Sequence, residues 1–187
     1  MTDGGSGVLA ATVRFIDRLN ETVGRATSWL VLSMVLITCL VAVLRYGFDL
    51  GWIWLQEVYV WMHGTIIMVA AGYALLHDGH VRVDIIYRSA SARYKAWVDL
   101  FGVLCLLFPM LGIVWWTAWP YVLTSWHRHE ESRDAGGMQG LYLLKTMMLV
   151  FCVLLALQGL ALALRSLLVL LDRADSNETP KQARAEP

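Results

Sequence analysis

Apolar residues fill four long stretches of the chain, at 26–44, 58–76, 100–126 and 146–164, and the charged residues gather between them. Three of these stretches contain no Asp, Glu, Lys, Arg or His, and the second is broken only by His63. At a rise of about 1.5 Å per residue, a helix over any of them crosses a hydrocarbon core roughly 30 Å thick with some help from its flanks. Barrel strands would alternate polar and apolar positions, and an open sheet would leave backbone groups unpaired in lipid, so helices remain. The pattern predicts an all-α integral membrane protein, with four transmembrane helices in an antiparallel bundle and interfacial amphipathic segments. The expected spans are about 26–46, 56–77, 97–123 and 142–168, within a membrane domain at 26–171. Pro109 and Pro120 predict a third helix that is tilted, kinked or extended beyond the membrane.

Outside the spans the pattern changes twice. Before the first, Leu9, Val13, Ile16, Asn20 and Val23 recur at helical spacing, with most charges elsewhere on the wheel. Residues 1–25 then form either an amphipathic helix lying on the membrane surface or a straight extension of the first span. Between spans two and three, His77, His80 and Asp84 would share one face if the segment were helical, and Val83, Ile86, Tyr87, Ala90 and Trp97 would offer an apolar stripe. A hydrogen-bonded turn against a partner is the first reading of that polar face, and a divalent-metal site the second. Residues 172–187 are polar, mixed in charge and without apolar periodicity, which predicts a disordered tail.

Composition agrees with lipid as the main solvent, at 58% hydrophobic over 187 residues. The 15 basic and 15 acidic residues balance, so no global field points to nucleic acid. Their placement carries more. Arg14, Arg18 and Arg25, then Arg82, Arg88, Arg93 and Lys95, then Arg165, Arg173, Lys181 and Arg184 lie on one side; Arg45, Arg128, Arg133 and Lys145 lie on the other. That asymmetry predicts both termini and the second loop in the cytoplasm. Trp52, Trp54, Trp115, Trp116, Trp119 and Trp126 mark the outer interface, and Trp29 and Trp97 the inner one. The first 25 residues lack a basic-then-apolar leader pattern, so they are expected to stay on the chain. Cys39, Cys105 and Cys152 sit in apolar runs and read as packing residues.

The candidate chemistry is sparse. His63 is the ionisable residue well inside a span, and a hydrogen bond between helices accounts for it before any proton relay does. Arg45 and Glu57 flank the first outer loop and could close it as a salt bridge. Lys145 and Asp99 could snorkel to opposite surfaces. Gln158 could bridge helices, within this bundle or to a partner. Glu130, Glu131 and Ser132 cluster without a partner that sequence can place, and no nucleophile sits in an activation motif, so no enzymatic function is expected. Nor is a transport path of broken helices and midplane charge visible. A runner-up is the haem-binding membrane anchor of a redox complex, because His63 and His77 would lie on similar faces of one helix; the other spans offer no facing histidine.

Several short features, in order along four spans, resemble the small membrane subunit of tripartite ATP-independent periplasmic (TRAP) transporters. They are Arg45, the Trp54-Leu55-Gln56-Glu57 run, Gly79-His80-Val81-Arg82-Val83-Asp84, Glu131-Ser132 followed by Gly136-Gly137-Met138, and Gln158-Gly159. The resemblance implies a bacterial inner-membrane importer. In it a periplasmic binding protein delivers an organic acid to a large multi-span permease subunit, and that large subunit holds the substrate and sodium sites. The small subunit would brace it, with no cofactor of its own. By the same resemblance Arg45, Glu57, His80, Asp84, Glu131, Ser132 and Gln158 are expected to contact a partner subunit or to fix loops, with no catalytic role.

Overall fold

The computed structural model describes residues 3–80 and 90–182, with side chains at 7–80 and 90–171. Asp84, and the apolar stripe from Val83 to Tyr87, lie outside the described residues. Four helices, α1 (Asp3–Phe48), α2 (Ile53–Leu76), α3 (Ala92–His127) and α4 (Leu141–Gln182), are each long and apolar enough to cross a membrane. No strand occurs among the described residues. The fold class expected from the apolar runs is the fold observed.

α4 is the hub. It packs against each of the other three, α1 and α2 also pack against one another, and α3 is held chiefly by α4. In the most apolar window of α4, 39% of residues are buried within the chain, against 6% in α1 and α2 and 11% in α3. The small and medium side chains of α4 explain its place. Cys152, Leu155 and Ala161 are buried, the first two against Leu111 of α3 and the third against Val13 and Ile16 of α1.

The last contact settles the form of the N-terminal segment. α1 runs without a break from Asp3 to Phe48, so the straight extension is observed, and its apolar stripe faces α4. Gly24 is the one weak helix former at the expected boundary, and it is needed for packing: a Cβ there would lie 2.1 Å from the Tyr73 ring of α2. At the other end of the chain α4 continues to Gln182, into the polar stretch that sequence alone reads as tail.

The ends of α2 and α3 are closed by the same device. The Gly79 N–H bonds to the Ala74 carbonyl at 2.7 Å and the Asp78 N–H to that of Leu75, while the Glu130 and His129 N–H groups bond to the Ser125 and Trp126 carbonyls, both at 3.1 Å. Asp78 and His129 take the left-handed backbone (φ 53° and 46°) that this motif demands. His77 therefore caps α2 instead of continuing it, and α2 does not run on to His80. Within α3, a π-helical stretch at Gly102–Leu107 directly precedes Pro109. A proline cannot donate to the carbonyl four residues back and its ring crowds that group, so the wider turn relieves both problems without ending the helix. The stretch also seats Leu107 over Gly159 of α4, where a Cβ would come within 2.6 Å.

Candidate functional site: polar ties at both ends of the bundle

The polar side chains that leave the surface are concentrated in two clusters, one at each end of the bundle. At the end carrying the termini, Asp17 and Asn20 of α1 meet Gln158 and Arg165 of α4. Gln158 Nε2 donates to Asp17 Oδ1 at 3.2 Å, Asn20 Nδ2 donates to Gln158 Oε1 at 2.9 Å, and an Arg165 guanidinium N–H donates to Asp17 Oδ2. Each donor in the chain points towards the Asp17 carboxylate, so the bonds polarise one another in one direction. Asn20 and Gln158 are almost wholly buried, at 0% and 1% exposure. Gly72 of α2 makes room for this, since a Cβ there would stand 2.2 Å from Asn20 Oδ1. Beside the cluster, His77 Nε2 lies 2.7 Å from Glu21 Oε2, and Arg25 Nε donates to Glu21 Oε1 at 2.8 Å.

Of the two roles open to Gln158, the structure shows the one within this bundle. Asn20 fell on the apolar stripe of the sequence, where its burial was legible but its partner was not. Asp17 and Arg165 gave no separate signal, because a charged residue at a helix end is usually solvated. The histidine pair of the haem reading is used otherwise: His77 packs on Tyr73 at 4.4 Å and contacts Glu21, and His63 is exposed.

At the opposite end, the loop at 128–140 is tied to α2 and α4. Glu57, near the start of α2, accepts hydrogen bonds from the Ser132 hydroxyl and the Met138 N–H. The Ser132 N–H in turn donates to the Met138 carbonyl at 3.0 Å, and the Asp134 N–H to Ser132 Oγ at 3.2 Å, which closes the segment into a compact turn around the carboxylate. Gly137 permits the close approach, because a Cβ would lie 2.6 Å from Ser132 and 2.8 Å from Glu57. The salt bridge imagined between Arg45 and Glu57 is thus replaced: the Glu57 oxygens are used by the loop, and Arg45 is exposed. Glu131 and His80 are exposed as well.

The same loop is tied to α4 through Lys145, which pairs with Glu130 and lies 4.0 Å from the centre of the Tyr121 ring. Its side chain is only 11% exposed, so it is locked inside this end of the bundle and does not snorkel outward. Trp126 Nε1 donates to Thr146 Oγ1 at 2.9 Å, fixing α3 to α4 beside it. The eight expected anchor tryptophans are exposed, from 38% for Trp115 to 81% for Trp116.

The Lys145 ammonium, and after it the nearby Ser125 hydroxyl, hold the Glu130 carboxyl below its ordinary value of 4.5. A carboxyl whose folded value is depressed stabilises the folded form above its unfolded value and loses that contribution as pH falls through the folded one. The melting temperature of the wild type should therefore fall relative to Glu130→Gln only below about pH 4.5. Thermal unfolding in detergent at pH 7, 5 and 3.5 measures it, and a constant difference across that range would show that the pair does not titrate with folding.

In both clusters most polar groups are engaged in ties between helices, with Asn20 Oδ1 left buried without a hydrogen-bond partner, and among the described residues no group of three or more His, Cys, Asp or Glu side chains forms a metal site. The family model for the DctQ component of tripartite ATP-independent periplasmic transporters matches residues 34–169, and the chain belongs to that family, whose members are transporter components and not enzymes. Over 103 residues the chain is 27% identical to the C4-dicarboxylate TRAP transporter small permease protein DctQ of Vibrio cholerae serotype O1 (strain ATCC 39315 / El Tor Inaba N16961). That alignment covers 53% of this chain and 44% of the relative, so the match spans less than half of the relative's length. No solved structure matches the chain.

Proposed function

We propose that this chain is the non-catalytic small subunit of an inner-membrane TRAP importer, bracing a large permease subunit during sodium-coupled uptake of an organic acid delivered by a periplasmic binding protein. The family match over 34–169 carries the reading. The structure supports the word brace. A moving transport domain needs a fixed partner, and helices tied by buried hydrogen bonds at one end and by a carboxylate-centred loop at the other resist relative motion. The uneven Lys and Arg distribution supports termini in the cytoplasm and the 128–140 loop in the periplasm. The relative is named for C4-dicarboxylates, which favours a carboxylate-bearing substrate here. The exposed apolar faces of α1 and α3, such as Leu36, Leu40 and Val43 on α1, offer surface for the permease and for lipid.

The test is purification of the tagged chain from its native membrane in mild detergent, followed by mass spectrometry and by uptake assays in cells lacking the chain. A multi-span permease at equal stoichiometry, with loss of sodium-dependent uptake of an organic acid on deletion, is the expected result. Haem-containing redox partners, or uptake unaffected by deletion, would overturn the assignment.

A further inference from the structure

Ten residues of α2 precede His63 and thirteen follow it. At a rise of about 1.5 Å each, His63 lies about 15 Å in from the nearer end of the helix, close to the middle of a hydrocarbon core roughly 30 Å thick. Its side chain is turned out of the bundle. The inward face of α2 carries Gly64 and Gly72, against Leu144 of α4 and Asn20 of α1. His63 is exposed, and so are Val60 and Ile67, at 54% and 55%, on the turns before and after it. Positions 60, 63 and 67 form one stripe along a helix.

Among the described residues the His63 imidazole makes no hydrogen bond, ion pair or ring contact. Imidazole always carries at least one N–H donor, and its neutral form has an acceptor nitrogen as well. Hydrocarbon satisfies neither, and at that depth so short a side chain cannot reach the headgroups as lysine or arginine does. A water-filled path would need further polar groups along the stripe, where the adjoining turns carry Val60 and Ile67. The other exposed faces differ on this point. On α1 the hydroxyls of Ser33 and Thr38 donate to the carbonyls of Trp29 and Met34, and on α3 that of Thr117 donates to Ile113, so each is satisfied within its own helix and suits lipid. The α2 stripe is also held still, by Glu57 at the outer end of the helix and by the seat of Gly72 on Asn20 further in.

We infer that the stripe of Val60, His63 and Ile67 is the docking surface for a transmembrane helix of the large permease subunit, and that this helix brings a hydrogen-bonding group to His63 at mid-depth. The inference rests on the importer reading and deepens it by assigning the contact face. The interhelical hydrogen bond expected of His63 is then made across the subunit boundary, where a polar contact within lipid gives register as well as affinity.

The complex is purified from its native membrane through the tagged chain, and its dissociation on dilution in mild detergent is followed by native mass spectrometry. The concentration at which the two chains separate should rise about fivefold in His63→Leu, and about twofold or less in His63→Gln, which keeps a donor and an acceptor. The isolated full-length His63→Leu chain should melt at the parent temperature or above it, which separates a lost contact from a misfolded subunit. In native membranes, a photoreactive phenylalanine analogue placed at Val60 or at Ile67 should cross-link to a permease helix. A permease that co-purifies in equal amount yet leaves the parent and His63→Leu alike, or cross-links that reach only lipid or a second copy of this chain, would overturn the docking face and leave the importer reading intact. A tagged chain that brings down no permease would remove that reading and this inference together.

Discussion

Glu57→Ala should release the 128–140 loop from α2, and amide exchange at Met138 should rise about a hundredfold. The carboxylate accepts from the Ser132 hydroxyl and the Met138 N–H, in a partly buried setting. Hydrogen bonds to a charged acceptor contribute about 1.5–3 kcal/mol each; with partial solvent access, a combined loss of about 3 kcal/mol is expected, which sets the hundredfold figure. Ser132→Ala removes one of the two bonds and should raise exchange roughly tenfold. Glu57→Gln should fall between, because an amide keeps one acceptor oxygen but turns its NH2 towards the second donor. In the assembled transporter the same series should lower uptake in the same order, since the loop would no longer hold a fixed position. If Met138 exchange is unchanged in Glu57→Ala, the backbone bond from Ser132 to Met138 alone sustains the turn and the carboxylate is incidental.

That prediction shows where sequence reading succeeds and where it stops. Apolar run length fixed the four helices, because lipid leaves a spanning backbone few alternatives. Glu57 and Ser132 were both singled out through the family resemblance, yet their pairing was not, since 75 positions separate them and nothing local says which loop folds over which helix. Arg45 was the nearer partner and the wrong one. Lys145 likewise read as a residue snorkelling to the surface, because its pairing with Glu130 needs the α3–α4 turn to be closed first. At His77 a hydrogen-bonded turn was the first reading, and Asp78 and Gly79 form one as a helix stop; what the sequence left open was that His77 would be used against Glu21 of α1. The break at Gly102–Leu107 was foreseen as a distortion at Pro109, but its form as a π turn depends on Leu107 finding room over Gly159.

The termini-bearing cluster makes the second large prediction, and there the sign depends on which partner is removed. Arg165→Leu leaves Asp17 facing buried Gln158 and Asn20 without its cation, and Asp17→Leu leaves Gln158 Nε2 and the guanidinium unpaired. Removal of one member of a fully buried ion pair costs about 3–5 kcal/mol. The Arg165 and Asp17 side chains are 40% and 24% exposed, so water relieves part of that, and about 2 kcal/mol for either variant is the reasoned figure. The double variant Asp17→Leu/Arg165→Leu should cost less than the two together by about 1–2 kcal/mol, because no charge is stranded. The readout is docking of the N-terminal part of α1 on α4, taken from disulfide formation between cysteines placed at Val13 and Ala161, which share one packed cluster. Cross-linking should fall in each single variant and fall in the double by less than the two single effects combined. Strict additivity would mean that the two charges act separately, and that α1 is held there by the apolar contacts of Val13 and Ile16 alone.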